Sequence, residues 1–323
     1  LFIYIIVMIR TAEVVTPKHP DKICDRISDA ILDECLKQDP DTRAAIETMG
    51  GHGIINITGE LTTKAYVDVP SIVKDVYGND IGVQTNIVKQ SPEIAKGVDT
   101  GGAGDQGIMI GYACNDNYEN VPEEYFQARK LAQFIYKKYP YDGKTQITTN
   151  GNSLRVVASF CCTPKEELEL LCETFFKDTK YEIQHLHCNP AGNWNIGGFD
   201  ADAGLTGRKL AVDNYGPRVS LGGGAFSGKD ASKVDRSAAY MARYIAVDLL
   251  KKHRAKEVFV QLAYAIGYTK PIQASAIIDG EIIPFLNGYD LSPKAIIEFL
   301  DLKKPIFAKT AEWGHMGNNF KWL

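Results

Sequence analysis

Residues Gly222–Ala246 read GGGAFSGKDASKVDRSAAYMARYIA, and the parsing of this stretch decides which folds the chain can adopt. Within it Gly223 to Lys229 satisfies G-x-x-x-x-G-K. A phosphate loop of that spacing needs a buried strand before it and a Ser or Thr after the lysine to hold magnesium. Here the preceding NYGPRVSLGG is rich in turn residues, and Asp230 follows Lys229. The P-loop reading fails on both counts. From Ser232 through YMARYIAVDLL to about Lys252 the pattern is helical. Lys229, Lys233 one turn later and Asp235 therefore sit where a glycine loop enters a helix. Taken alone, that grouping suits a phosphate-and-metal apparatus and a solvated helix start equally, since an acid in the first turn also complements the helix dipole.

A second glycine pattern, Gly102-Ala103-Gly104-Asp105-Gln106-Gly107, mimics a dinucleotide fingerprint. That fingerprint requires a strand before it and a helix after it. KGVDTG precedes and the apolar run IMIGYA follows, so the order is loop then strand. Further out, Pro20 to Gln38 places Ile23, Ile27, Ile31 and Cys35 on one helical stripe. Pro20 suits the first turn, and Asp39-Pro40 closes the helix. Helices are also expected from Pro122 to Lys138, from Pro164 to Lys177 and after Ser292. Strands are expected at 53–58, 146–149, 154–160, 258–266 and 274–278, which are rich in β-branched residues. Glycines gather at 101–107, 197–207 and 222–228 and punctuate them. The expectation is an α+β fold in three similar layers, near 11–110, 111–200 and 201–323, with 1–10 as an apolar extension.

Composition narrows the partners. The 323 residues are 45% hydrophobic and 24% charged, which excludes wholesale disorder and fibrous repeats. With 36 basic against 40 acidic residues, the net charge of −4 gives no general hold on a nucleic-acid backbone. Seven cysteines, an odd number with no C-x-x-C pair, fit buried thiols in a reducing compartment. The opening LFIYIIVMI is too short to span a bilayer, which takes about 20 residues. It is either an edge strand or a stretch preceding a start at Met8. A soluble, cytoplasmic chain with no membrane or nucleic-acid partner is expected.

Three polar clusters join the Lys229 group. KHPDK puts His19, Asp21 and Lys22 at the start of the first helix, where an anion or a hard cation could bind, or where Asp21 simply caps. DADAGLTGRK sets Asp202 before Arg208 and Lys209, an adjacent pair able to address different phosphate oxygens or to remain solvated. Glu47, Glu60 and Asp105 are acids beside strands or glycines. Lys22, Lys144, Arg208, Lys209, Lys229 and Lys233 make up the phosphate candidates, with Asp21 and Asp235 as magnesium candidates. No serine or cysteine has an adjacent base, so the chemistry expected is one in which the substrate brings its own nucleophile.

KHPDKICDRISDAILD, GAGDQGIMIGYA, GLTGRKLAVDNYG and GGGAFSGKDASKVDRSAAYMARYIA resemble, in order, the signature blocks of the S-adenosylmethionine synthetases. TGELTT, KQSPEIAKGVD and YAIGYTKP match as well. The resemblance implies three α+β domains, interleaved along the chain around a pseudo-threefold axis. It implies attack of methionine's sulfur on the 5′ carbon of ATP, followed by hydrolysis of the tripolyphosphate to pyrophosphate and phosphate. Two Mg²⁺ per site and a K⁺ are implied cofactors, and a homodimer with its sites at the interface is the implied assembly, a tetramer being left open. By motif, His19 falls near the reacting carbon, and Asp21 and Asp235 fall at magnesium positions, with Glu47 at the potassium position. Lys144, Arg208, Lys209 and Lys229 fall at polyphosphate positions. Glu60, Gln90, Asp202, Lys233 and Ile266 fall in the methionine pocket, and Asp105, Asp142 and Trp194 at the nucleotide, with Trp194 replacing the family's stacking Phe. Two departures stand out. Lys18 replaces a glycine, and the lid-forming stretch after Gln90 is shortened, so looser closure is expected.

Overall fold

The structure is a computed structural model, and it describes residues 8–90 and 101–322. The apolar residues 1–7 and most of the shortened stretch after Gln90 lie outside the described residues. The fold is α+β, built on three four-stranded sheets. One contains β2 (Arg43–Gly51), β3 (Ile54–Thr62), β4 (Gly82–Val88) and the short β9 (Gly204–Leu205), in the order β4-β3-β2-β9. A second has β1 (Arg10–Val15), β6 (Gly143–Asn150), β7 (Ser153–Phe160) and β8 (Glu182–Cys188), in chain order. The third orders β12 (Glu281–Ile283), β11 (Gln273–Ile278), β10 (Glu257–Tyr264) and β5 (Gly107–Cys114).

One long helix lies over each sheet: α1 (Pro20–Gln38) over β2 and β9, α3 (Glu123–Lys138) over β1 and β6, and α6 (Val234–His253) over β5 and β10. Two shorter helices, α2 (Val69–Tyr77) and α4 (Lys165–Phe176), return the chain to the parallel neighbours β4 and β8. The strands are exchanged in a cycle. β1 precedes α1 yet pairs with β6, β5 precedes α3 yet pairs with β10, and β9 precedes α6 yet pairs with β2. No contiguous cut of the chain yields a whole sheet. At Gly111 a Cβ would overlap the Ala242 carbonyl, so glycine there lets α6 lie directly on β5.

The expected long helices all form within two residues of their anticipated ends. The nine-residue α2 was not anticipated, although Asp68 caps it by accepting from the Ser71 amide and Gly78 ends it at φ 94°. Its length leaves too few turns for periodicity to speak. Both glycine patterns sit in loops, the first leading into β5 and the second followed by α6 only at Val234.

On α1 the apolar stripe Ile23, Ile27, Ile31 and Cys35 is buried as expected. A second stripe lies one residue over from each gap in it: Asp21, Asp25, Asp29 and Asp33, all buried as well. Buried carboxylates require partners. Each of these accepts a hydrogen bond from the backbone of a distant segment: Leu205 N of β9 to Asp21 at 2.9 Å, Gly207 N to Asp25 at 2.8 Å, Gly228 N to Asp29 at 2.8 Å, and Phe307 and Ala308 N, at the start of a one-turn helix, to Asp33 at 2.9 and 2.8 Å. Lys22 is fully buried between Asp25 and Asp213 and is therefore a core cation, which corrects its place among the phosphate candidates. Arg236 grips Asp29 with both terminal nitrogens, at 2.7 and 2.8 Å.

Removing one member of a fully buried ion pair strands the other, at about 3–5 kcal/mol. Asp29→Ala is expected to lower the unfolding free energy by that amount in guanidinium titration. A change below about 1 kcal/mol, the range of an exposed pair, would show that the pair does not hold the fold.

Candidate active site

His19 is the N-cap of α1, its Nδ1 accepting from the Asp21 amide at 3.2 Å. One turn of the chain thus presents an imidazole and a carboxylate together. Asp21 takes up the Leu205 amide and an ion pair with Lys209, and Arg208 Nη1 lies 3.7 Å from it. Burial works against its charge, yet the Lys209 hydrogen bond and the Leu205 amide hold the Asp21 carboxyl below its ordinary value. His19 is pushed down to about 4, first by burial and then by Lys209, with Lys144 acting in the same direction and Asp21 and Asp202 opposing. The ring is neutral at physiological pH. Lys144, on β6, and Asp202 are thereby placed within electrostatic reach of His19.

Beside this cluster opens a pocket of about 400 Å³ whose lining includes Lys18, Ile23, Tyr77, Tyr141, Asp142, Ile196 and Gly198. Asp142 accepts from the Gly198 amide at 2.9 Å, and burial raises its carboxyl above the ordinary value. Lys18, the unexpected side chain, does not occupy a left-handed backbone position. Its Nζ donates to the Tyr77 carbonyl at 3.0 Å and so caps the C-terminal end of α2. Trp194 stands just outside the pocket lining. Its Nε1 donates to Asn189 Oδ1 at 3.3 Å, and its carbonyl accepts from Cys162 N at 2.8 Å.

A second cluster forms at the N-terminus of α6. Lys229 Nζ donates to Asp235 Oδ2 at 2.7 Å, and Lys233 is paired with Asp230. Gly228, at φ 81°, packs so tightly on β2 that a Cβ would overlap the Ile46 carbonyl. Lys229 bridges Ala45, whose cross-strand partner is Glu60. Glu47 lies two residues along β2, its carboxyl raised by burial and partly restrained by Lys229. Asp105 bonds the next amide, Gln106 N, at 2.7 Å in the loop before β5, and Gly107 abuts Asp235.

The two clusters are separate in one chain. Lys229 pairs beside Ala45 and Leu205 beside Met49 on β2, so the two backbones join that strand about 13 Å apart at ~3.3 Å per residue. Gln90 is held at the end of β4, its amide donating to Thr62 Oγ1 at 3.2 Å. Ile266 is 59% exposed just after β10, and its neighbour Gly267 donates to the Ala103 carbonyl at 2.8 Å in the loop that carries Asp105. Among the described residues no three His, Cys, Asp or Glu side chains gather as a ligand set. Single carboxylates such as Asp21 and Asp235 fit magnesium, which is usually held by one or two carboxylates with substrate phosphates completing the shell.

The residues that sequence reasoning missed are supports. Asp25, Asp29 and Arg236 anchor the Gly207 and Gly228 loops, and Arg236 Nη1 also donates to the Lys229 carbonyl at 3.0 Å. Their signal was the four-residue spacing of acids on α1.

The chain matches three family models, described as the N-terminal domain (residues 7–97), central domain (100–159) and C-terminal domain (196–323) of S-adenosylmethionine synthetase. It is 41% identical over 365 aligned positions to an S-adenosylmethionine synthase of Clostridium tetani (strain Massachusetts / E88), covering 95% of this chain and 93% of the relative. The aligned span exceeds 323 residues, so the relative carries segments that this chain lacks. The chain belongs to the S-adenosylmethionine synthetase family.

The pH behaviour of His19 follows from its surroundings. The unfolded chain takes up this proton near the ordinary 6.5 and the folded one near 4. Stability from this group is therefore lost as pH falls from 6.5 to 4, and no further below that. An imidazole NMR titration is expected to place its midpoint near 4. A midpoint at 6 or above would show that the ring is not held among these cations.

Proposed function

We propose that the two clusters are the two halves of one catalytic site, joined when two copies of the chain face each other. The chain synthesises S-adenosylmethionine from ATP and L-methionine and is a methionine adenosyltransferase. The observation that carries the site assignment is the pairing of each cluster: a lysine held against a carboxylate at a helix N-terminus, Lys209 with Asp21 and Lys229 with Asp235. A triphosphate entering there exchanges one set of oxygen anions for another around cations already in position.

In this reading the adenosine occupies the pocket beside Asp142, with Trp194 and Ile196 at its rim. The triphosphate runs along Lys144, Arg208 and Lys209 of one chain to Lys229 of the other. The methionine pocket takes Glu60, Gln90, Asp202, Lys233 and Ile266, and Asp105 helps close the nucleotide site. A thioether is already a nucleophile, so no base is required, and the barrier falls through alignment and through charge stabilisation on the leaving triphosphate. His19, uncharged at neutral pH, offers an imidazole beside the leaving oxygen without repelling the cations. Asp21 and Asp235 would hold magnesium, which when bound would further neutralise the phosphates, and Glu47 would hold a potassium ion supplying a fixed positive charge. Lys144, Arg208, Lys209 and Lys229 then hold tripolyphosphate for hydrolysis to pyrophosphate and phosphate.

The dimer is argued from the first sheet. Its outward face leaves Met49 46% and Val88 54% exposed beside Glu47 and Glu60, a mixed surface that a two-fold partner would cover. A cytoplasmic setting agrees with seven cysteines that all carry free thiols, and no helix of the described residues is long and apolar enough to cross a membrane.

Incubation with ATP, methionine, magnesium and potassium is expected to give S-adenosylmethionine, pyrophosphate and phosphate. Lys229→Ala is expected to lower turnover at least about 100-fold, the loss of one transition-state contact worth ~3 kcal/mol. Turnover within threefold of the parent would remove Lys229 from the phosphate path. Lys209→Ala and Lys229→Ala proteins, each inactive, are expected to recover about a quarter of parental activity when unfolded together and refolded as an equal mixture, because half the two-fold dimers then carry one intact site of two. No recovery would place both lysines in the same site of one chain.

A further inference from the structure

Cys161 and Cys162 follow β7 directly, and their sulfurs lie 3.5 Å apart. Cys162 holds a left-handed backbone position, φ 53°, unusual for a residue with a side chain. Such an outlier is maintained only by its surroundings, and here they are explicit: Cys161 N donates to the Asp142 carbonyl at 2.9 Å, Cys162 N to the Trp194 carbonyl at 2.8 Å, and Cys162 Sγ approaches the Asn195 carbonyl at 3.6 Å. Gly197 has no room for a Cβ without crowding Cys161 Sγ. Both thiols line the 400 Å³ pocket beside Asp142. The bland alternative, two buried small side chains, accounts for Cys161 at 4% exposure but not for the half-buried Cys162.

We propose that Cys161 and Cys162 form a vicinal dithiol, a modification site that peroxide converts to a disulfide and that thereby controls access to the nucleotide pocket. The Cys162 thiolate attacks one peroxide oxygen, giving a sulfenic acid and releasing the other oxygen as water. Cys161 then displaces the sulfenic hydroxyl as a second water, closing the sulfur–sulfur bond. Two thiols lose two electrons and two protons, and the peroxide accepts both. The sulfurs, now 3.5 Å apart, must approach by about 1.5 Å to reach the ~2.05 Å of a disulfide. Adjacent Cα atoms lie only ~3.8 Å apart, closer than the usual disulfide span, so closing this eight-membered ring also turns the 161–162 backbone. Burial and the neighbouring thiol push Cys161 up to about 12, which leaves the first attack on peroxide to the more exposed Cys162, while Cys161 resolves the sulfenic acid by its proximity. Because the pair is bonded to the Asp142 and Trp194 carbonyls, any rotation of its backbone moves the pocket wall on two sides. An external dithiol reverses the change.

The functional half of this proposal rests on the nucleotide reading above, whereas the chemical half does not. The full-length reduced protein is treated with hydrogen peroxide, its mass is measured, and its peptides are mapped. Loss of two hydrogens within the 161–162 peptide is expected, with a rise of at least about tenfold in KM for ATP that dithiothreitol reverses. Phenylarsine oxide, a probe of paired thiols, is expected to bind once per reduced chain and not after peroxide. In Cys162→Ser, peroxide should produce neither the mass loss nor a change in KM relative to the same variant untreated. A disulfide at Cys172–Cys188, whose buried thiols also neighbour each other, in place of 161–162, or no disulfide, overturns the proposal. So does a 161–162 disulfide that leaves KM for ATP unchanged in an enzyme active when reduced. A reduced protein that binds no ATP while still forming the disulfide would instead refute the nucleotide reading of the pocket.

Discussion

Four aspartates spaced one helical turn apart on α1 are the constraint from which the rest of the molecule follows. A carboxylate taken out of water is costly unless it is paired or hydrogen-bonded, and a fully buried row of them multiplies the demand. Asp21, Asp25, Asp29 and Asp33 meet it by accepting from loop amides at 205, 207, 228 and 307–308. Those loops come from parts of the chain nearly two hundred residues and more away. Glycine at 207 and 228 lets the backbone approach, since both have positive φ. The helix is therefore a rack on which the loops around Gly207 and Gly228 are hung by their main chains, and Lys209 and Lys229 inherit their positions from it.

Charge at the two clusters follows the same economy. Lys209, Lys229 and Lys233 are each matched to a carboxylate, Asp21, Asp235 and Asp230. Lys22 differs because it is fully enclosed by Asp25 and Asp213, and burial there is overcome by two acids. Arg208 differs again, with over half its side chain in solvent and only a 3.7 Å approach to Asp21. Buried pairs fix the scaffold, and the partly open ones are those that the proposed site would use.

Much of this was legible in the chain and some was not. The long helices declared themselves through apolar periodicity. The 102–107 pattern leads from a loop into β5 and so presents no helix N-terminus to a pyrophosphate, whereas the 223–229 pattern departs from a P-loop in lacking a preceding strand and in carrying Asp230 after its lysine. Asp21, Lys209, Lys229 and Asp235 were legible as residue types at loop–helix junctions. The acidic row was not, because an apolar stripe is the usual signature of a buried face and aspartate is usually read as the wet side. Lys22 was misplaced for the same reason, being a lysine beside a candidate metal ligand whose burial no local pattern records. The pairing of β1 with β6 and of β5 with β10 joins residues more than a hundred apart, and strand alternation carries no information about partners at that range.

That cyclic exchange of strands bears on how the chain tolerates being shorter than its relative. Because β1, β5 and β9 each complete a sheet whose other strands come from distant parts of the chain, a deletion inside one of them would open a sheet far from it in sequence. Length can be lost only where the chain leaves the sheets. The hairpin between β6 and β7 is already reduced to two residues, Gly151 and Asn152, with Gly151 at φ 60° as a tight turn demands. The hairpin between β2 and β3 is equally short, with His52 and Gly53 both at positive φ. Shortening of this kind leaves the row of aspartates, the amides they hold and the lysines beside them untouched, so compactness and an intact catalytic frame are compatible on physical grounds.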